Sequence, residues 1–309
     1  MLGGGVSNML KIIEKTKIWF GISIIIIVLG IFKMATSGLV FGIDFAGGST
    51  ISVNMMKDFD KAKADAIVLK YAPDALTNKA INSTETSGVM KELDIKSKSI
   101  PTDKINLMVT ELQGTFGKEV KIIQQEDIGA SVGTETKNKA MLAMLLATLA
   151  MLVYVGVRFE FRFATAAILA LVHDVFIVLA VYAWWRLPID SGFVAAVLTV
   201  IGYSINDTIV VFDRIRENQK WMAKAEVKEL ANASITQTMI RSINTVMTVL
   251  ITLAAVYIYV PTIRSFSFPL LVGIASGCYS SIFIASPLWV VFKNMSKKQS
   301  KTMKPLKSK

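Results

Sequence analysis

The chain has 309 residues, 53% of them hydrophobic and only 18% charged, with a mean hydropathy of +0.52. That excludes a single soluble domain of ordinary composition and makes lipid the solvent for much of the chain. Its 34 Lys and Arg against 23 Asp and Glu give a net charge of +11, but the basic residues crowd beside apolar runs and into 293–309. Anionic lipid headgroups, not nucleic acid, are therefore the expected partners of that charge.

The first apolar run, 18–34, follows Lys11, Lys15 and Lys17. A secretory signal peptide has that shape, and Ala35 and Ser37 make a small-x-small pattern after it. The run is long for such a peptide and five more follow, so an uncleaved membrane helix is expected. Gly3-Gly4-Gly5 has no strand before it and does not read as a phosphate-binding loop.

A polar stretch of about 100 residues comes next and reads as a small α+β domain, bounded at 38–138. Ile51, Val53 and Met55 alternate with polar residues, which predicts a strand. The spacing of Ala62, Ala66 and Leu69 predicts a helix over 59–71, closed by Pro73. Further strands are expected near 89–95, 104–110 and 119–125. The domain has no His and no Cys, so a zinc site is not expected. It shows no nucleophile–base constellation either, so neither an enzyme nor a cofactor is anticipated.

Five more apolar runs follow, at 140–157, 164–185, 192–212, 243–260 and 268–292. Each is near the roughly 20 residues that cross a bilayer, and each must be helical to satisfy its own backbone. The chain thus divides into a terminus with the first helix (1–37), the α+β domain (38–138), five helices with a connector at 213–240 (139–292) and a basic tail (293–309). Six spans place both termini on one side. Arg158, Arg162, Arg214, Arg216, Lys220, Lys224, Lys228, Arg241 and the tail lysines (Lys293, Lys297, Lys298, Lys301, Lys304, Lys307 and Lys309) share that side with the N-terminal lysines, against Arg186 and Arg264 opposite. The termini are therefore expected in the cytoplasm and the domain outside. The connector, with Trp221, Met222, Val227 and Leu230 among charges, reads either as a segment lying on the membrane surface or as a solvated link.

Two features inside the spans carry chemistry. Asp207, in the fourth, sits among Ser204, Asn206 and Thr208. A charged Asp at the bilayer centre costs roughly 2.5–3.5 kcal/mol on insertion scales, and an ion or proton site is the usual reason to keep one; a packed interhelical hydrogen bond is the plainer reading. Asn206, Asp207, Val210, Asp213, Arg214 and Glu217 form one helical stripe towards the cytoplasmic end. Arg241, Thr245, Thr248 and Thr252 form another in the fifth span, and Arg241 either opposes the Asp207 charge or reaches for lipid phosphate. The third span holds His173-Asp174, read as a proton-relay pair or a packing device. Gly273, Ser276, Gly277, Ser280 and Ser281 make a small-residue face for close helix packing. The lone Cys278 reads as a small packed residue.

Phe41-Gly42-Ile43-Asp44-Phe45-Ala46-Gly47-Gly48, the turn Arg158-Phe159-Glu160-Phe161-Arg162, the run 202–217 with Asn206, Asp207, Asp213 and Arg214, Arg241-Ser242-Ile243-Asn244-Thr245 and Gly277-Cys278-Tyr279-Ser280-Ser281 together resemble the SecF family of protein-translocase subunits (SecD/SecF group, RND superfamily). The resemblance covers nearly the whole chain. It implies an RND-type bundle of six helices with one extracytoplasmic α+β domain, in the bacterial inner membrane. It implies pairing with SecD, work beside the SecYEG channel with YajC and YidC as further partners, and use of the proton motive force to draw preproteins outward. The coupling pair carries over onto Asp207 and Arg241, and the motif residues onto Asp44, Gly47, Gly48, Asp213 and Arg214; Asn206 and Asp174 stand beside the pair as proton-coupling candidates from the reading of the spans alone. Ser242, Val246 and Cys278 stand where the family often has Thr, Ser and Thr, and Val260-Pro261 replaces a Gly-rich end; these touch packing, not charge. Two rival readings are half of an RND-type small-molecule or lipid exporter, and a membrane scaffold with a structural Asp207.

Overall fold

The structure is a computed structural model that describes residues 9–82, 90–98, 100–260 and 263–302. Gly3-Gly4-Gly5, Pro261 and the tail lysines Lys304, Lys307 and Lys309 lie outside the described residues. After a short 3₁₀ turn at Ile13–Lys15, α1 (Thr16–Ser37) makes the first span. The two-residue strand β1 (Val40–Phe41) and a single helical turn, α2 (Ile43–Ala46), lead into the α+β domain. That domain runs β2 (Gly48–Asn54), α3 (Lys61–Tyr71), β3 (Leu76–Asn82), β4 (Met90–Ser97), α4 (Thr102–Phe116) and β5 (Lys121–Ile128). The remaining spans are α5 (Ala130–Arg158), α6 (Phe161–Trp185), α7 (Ser191–Trp221), α8 (Val227–Tyr259) and α9 (Arg264–Ser280). The last continues through a π-helical turn at Ser281–Ala285 into α10 (Ser286–Thr302), and a two-residue β6 (Pro188–Ile189) precedes α7. Six helices among the described residues are long and apolar enough to cross a membrane.

The domain is an antiparallel sheet of order β3-β4-β2-β5, with α3 and α4 on one face. Ile51, Val53, Leu93 and Ile95 point into that layer and meet Val68, Ile105, Met108 and Leu112, all buried. Asp60 starts α3 by accepting the Ala62 N–H at 3.0 Å, as an N-cap side chain does. The stretch 104–110 is helix, not strand. Its alternation of Ile105, Leu107 and Val109 fits a strand, but Ile105, Met108 and Leu112 recur at three and four and are the residues buried in α4. Strand β3 had no counterpart in the sequence reading: its half-polar run Leu76–Asn82 is an edge strand beside β4.

The bundle packs around the third, fourth and sixth spans; the first, second and fifth present most of their surface outward. Close backbone approach sets the contacts. A Cβ on Gly30 of α1 would meet Ala180 Cβ of α6 at 2.3 Å, and one on Gly273 of α9 would meet Val200 Cγ2 of α7 at 2.3 Å. Two boundaries differ from the sequence expectation. The helix of the second span begins at Ala130, within the stretch assigned to the domain. The connector at 213–240 is chiefly α7 and α8 prolonged beyond their apolar runs, with a turn only at 222–226. It stands as helix because Asn218 Nδ2 bridges back to Ser234 Oγ at 2.9 Å and Gln237 Oε1 at 3.0 Å, giving the two prolonged helices polar partners across their contact.

Candidate functional site

Helix α7 carries the site. Val197, Ile201, Ile205 and Phe212 face the bundle core, which turns Asn206 and Asp207 towards the less covered side. Asp207 is half-buried; its Oδ2 is shielded and has no hydrogen-bond partner. A cavity of about 20 Å³ opens there, lined among others by Ser204, Asn206, Asp207, Thr245 and Cys278, which is room for one water. From α8, the Ser242 hydroxyl and the Arg241 charge both act on the carboxylate. Neither closes a direct bond: Ser242 Oγ is likewise without a partner, and no ion pair within 4.0 Å joins Asp207 to Arg241. The expected stripe lies on one face as the spacing required, with Asp213 half-buried below Asp207 and Arg214 paired to Glu217 at 2.9 Å.

The same side of the bundle is open. Asn206 is exposed and lines a groove of about 450 Å³ with Leu198, Thr199, Gly202 and Tyr203. Thr245, Thr248 and Thr252 are exposed on α8 and turn their hydroxyls onto their own helix, to the carbonyls of Arg241, Thr245 and Thr248 at 2.9, 2.8 and 3.0 Å. Polar groups inside apolar helices, satisfied only locally, mark this as a face without a protein neighbour in the isolated chain.

Asp174 occupies a different place from Asp207. It is fully buried on α6 and accepts four hydrogen bonds: Ser276 Oγ at 2.6 Å and His173 Nδ1 at 3.0 Å on Oδ1, Ser204 Oγ at 2.6 Å and Ser280 Oγ at 2.7 Å on Oδ2. That fills the acceptor positions of a carboxylate. His173 Nε2 meets Ser23 Oγ of α1 at 3.0 Å, and Tyr279 OH donates to the Trp19 carbonyl at 3.0 Å close by. One acid thus ties α6, α7 and α9 together, with α1 joined through the imidazole. Ser204 belongs to both centres, since it bonds Asp174 and lines the Asp207 cavity. One turn on, Thr208 shares a hydrogen bond of 2.7 Å with Ser281, the first residue of the π-helical turn; such turns recur at functional sites. The roles of Ser276 and Ser280 escaped the sequence reading, although their i,i+4 spacing placed them on one face.

The motif residues Asp44, Gly47 and Gly48 sit at the N-terminal end of α7, away from Asp213 and Arg214. Asp44 Oδ2 accepts the Ser191 N–H at 2.9 Å and also the Ser191 hydroxyl, at the first residue of the helix. Gly42 N donates to the Ile189 carbonyl at 2.8 Å, extending the parallel pairing of β1 with β6. Gly47 and Gly48 have φ of +74° and +139°, and a Cβ would meet Ala130 Cα at 2.8 Å or the Ser97 carbonyl at 2.5 Å. Both glycines are thus required by conformation and by space. Asp190 caps α7 by accepting the Phe193 N–H at 2.8 Å. Burial holds its carboxyl above the usual range against that hydrogen bond, and the Asp44 charge adds to the rise.

Comparison with known proteins gives the chain relatives. Residues 108–295 match the family model described as protein export membrane protein SecD/SecF, C-terminal, and residues 34–55 match the SecD/SecF GG motif. The protein translocase subunit SecF of Alicyclobacillus acidocaldarius is 39% identical, with 94% of each chain covered. The protein translocase subunit SecDF of Bacillus subtilis is 35% identical over 93% of this chain and 38% of its own. The crystal structure of SecDF from Thermus thermophilus, a translocon-associated membrane protein, superposes with a TM-score of 0.79 at 30% identity, covering 94% of this chain and 39% of that one. The chain spans about two fifths of the length of these two SecDF proteins.

Proposed function

The chain belongs to the SecD/SecF family of protein export membrane proteins, and from that premise we propose that it acts as a SecF-type translocase subunit in which Asp207 couples the proton motive force to late-stage preprotein export. The observation that carries this reading is the Asp207 carboxylate, held inside a lipid-length helix with one oxygen unpartnered beside a water-sized cavity. A group built only to pack would have both oxygens bonded, as Asp174 has. Asp207 instead keeps an oxygen open to a proton, with Arg241 near enough to be felt and too far to be locked in a pair.

The mechanism is a change of charge, not covalent catalysis. Ionised Asp207 attracts α8 through Arg241 and Ser242; protonated Asp207 releases it. The two protonation states therefore favour different packings of α7 against α8. One proton crossing about 100 mV supplies roughly 2.3 kcal/mol, enough to shift a two-state equilibrium about fiftyfold. Asp174 and its serines act as the fixed point about which that shift occurs. Asn206 and the threonines of α8 line the route and the open face.

That open face is where the membrane helices of SecD would seat, so that the coupling site lies at a subunit junction. SecYEG, with YajC and YidC, and the emerging preprotein are the further partners; lipid headgroups take up the basic flanks. The termini lie in the cytoplasm and the α+β domain on the far side of the bacterial inner membrane, a reading supported by the distribution of Arg and Lys. The source of energy is an ion gradient, without a cofactor. Asp207→Asn is expected to copurify with SecD in normal amount while proton-gradient-dependent export is lost. Normal gradient-dependent export by this variant would refute the reading. Drug or lipid efflux in the absence of SecD would favour an exporter half instead.

A further inference from the structure

Helix α7 carries Asp207 in its middle, and Asp44 grips its first residue, Ser191. The segment that carries Asp44 has almost no slack. Phe45 is buried in the bundle core. A Cβ on Gly133 of α5 would lie 2.8 Å from Gly47 N and 3.1 Å from the Phe45 carbonyl, and one on Gly48 would strike the Ser97 carbonyl at the end of β4. Directly after Gly47 the chain becomes β2, which pairs with both β4 and β5 at the centre of the sheet. A movement of the sheet is therefore passed to α2 without loss. From α2 it reaches the first residue of α7 through the two bonds from Ser191 to Asp44, beside the two residue pairs of β1 with β6 and the Gly42 N–Ile189 carbonyl bond, which end before the helix begins. Those bonds are charge-assisted, and an acid at a helix N-terminus is held by the helix dipole as well.

We propose that Asp44 is a positioning residue that tethers the α+β domain to the N-terminus of α7, so that the domain and the helix bearing Asp207 move as one linkage. This rests on the proton-coupling reading above. It assigns a mechanical task to a residue remote from the acid.

The test uses the full chain with its partner subunit in bilayer discs. Fluorescent amino acids inserted at exposed positions 118 in the domain and 258 at the end of α8 report the distance between them and leave Cys278 in place. Asp207→Asn, which mimics the protonated acid, should shift that distance in the parent chain by on the order of 5 Å, about one helical turn. In an Asp44→Ala background the shift should vanish. Asp44→Asn should restore it, because the amide oxygen still accepts the Ser191 N–H. Ser191→Pro gives a second route. Proline is welcome at the first helical position and Asp190 is already extended, yet both donors to Asp44 disappear, so the shift should vanish there too. If Asp44→Ala does not fold, Ser191→Pro decides. Persistence of the shift in the folded backgrounds overturns the tether. Absence of any shift in the parent chain overturns the proton-coupling reading, and the tether with it.

Discussion

Two acids inside the membrane helices, one helix apart, are treated in opposite ways. Asp174 is given four donors, and Asp207 keeps a shielded oxygen with none. Removing Asp174 would leave three hydroxyls and an imidazole facing an apolar gap. Asp174→Ala is therefore expected to cost roughly 3–5 kcal/mol, as breaking a buried charged cluster does, and to lower the thermal midpoint of the purified chain in detergent. A midpoint equal to that of the parent would contradict the anchoring role. Asp207 stood out in the sequence because an acid in an apolar run is costly wherever it falls. The cage of Asp174 did not, because Ser204, Ser276 and Ser280 come from helices far apart in the chain. The i,i+4 spacing of Ser276 and Ser280 said only that small residues shared a face, which packing alone explains as well.

At the scale of elements, the close approach of α7 and α9 depends on glycine. Gly273→Ala puts a methyl group 2.3 Å from Val200 Cγ2, an overpacking expected to cost roughly 1–3 kcal/mol; Val200→Ala in the same chain should recover most of it. Gly156, with nothing within 4 Å of its would-be Cβ, is the control. Gly156→Ala should leave stability unchanged or raise it by about 0.5–1 kcal/mol, the helical advantage of alanine. In the α+β domain, Lys79 and Lys91 bond Asp58 at 2.6 and 2.9 Å and hold its carboxyl down to about 2 from 3.8. A depressed acid stabilises the fold above its unfolded value, and that contribution is lost as pH falls. The advantage of the parent chain over Asp58→Asn in thermal unfolding of the domain should thus be present above pH 4 and gone near pH 2. An advantage independent of pH would contradict it. Most elements were legible from periodicity. Helix α4 was not, because Ile105, Leu107 and Val109 satisfy a period of two while Ile105, Met108 and Leu112 satisfy the helical one. Only the layer above the sheet decides which set is buried. The prolonged α7 and α8 were hidden by their charges, which read as a connector although Asn218 bridges them.

For the whole molecule, the arrangement is a lever with its working parts on one helix. The bundle core holds α7 through Asp174, and Asp44 bonds its N-terminus; in the proposed account the membrane field acts on Asp207 and the domain is linked to the helix through Asp44. The resemblance carried by the motif at 202–217 gave the coupling acid its expected partner, Arg241. The open groove beside Asp207 could be found only in three dimensions, since it is defined by what does not cover α7. The account requires that export respond to the gradient through the charge on Asp207 alone. The most direct measurement is the rate of preprotein completion in membrane vesicles after ATP is removed, taken as a function of the imposed proton gradient in sodium-free buffer. For the parent chain the rate should rise with the gradient. For Asp207→Asn it should be flat at the value seen without a gradient. A rise of equal slope in both would contradict the account.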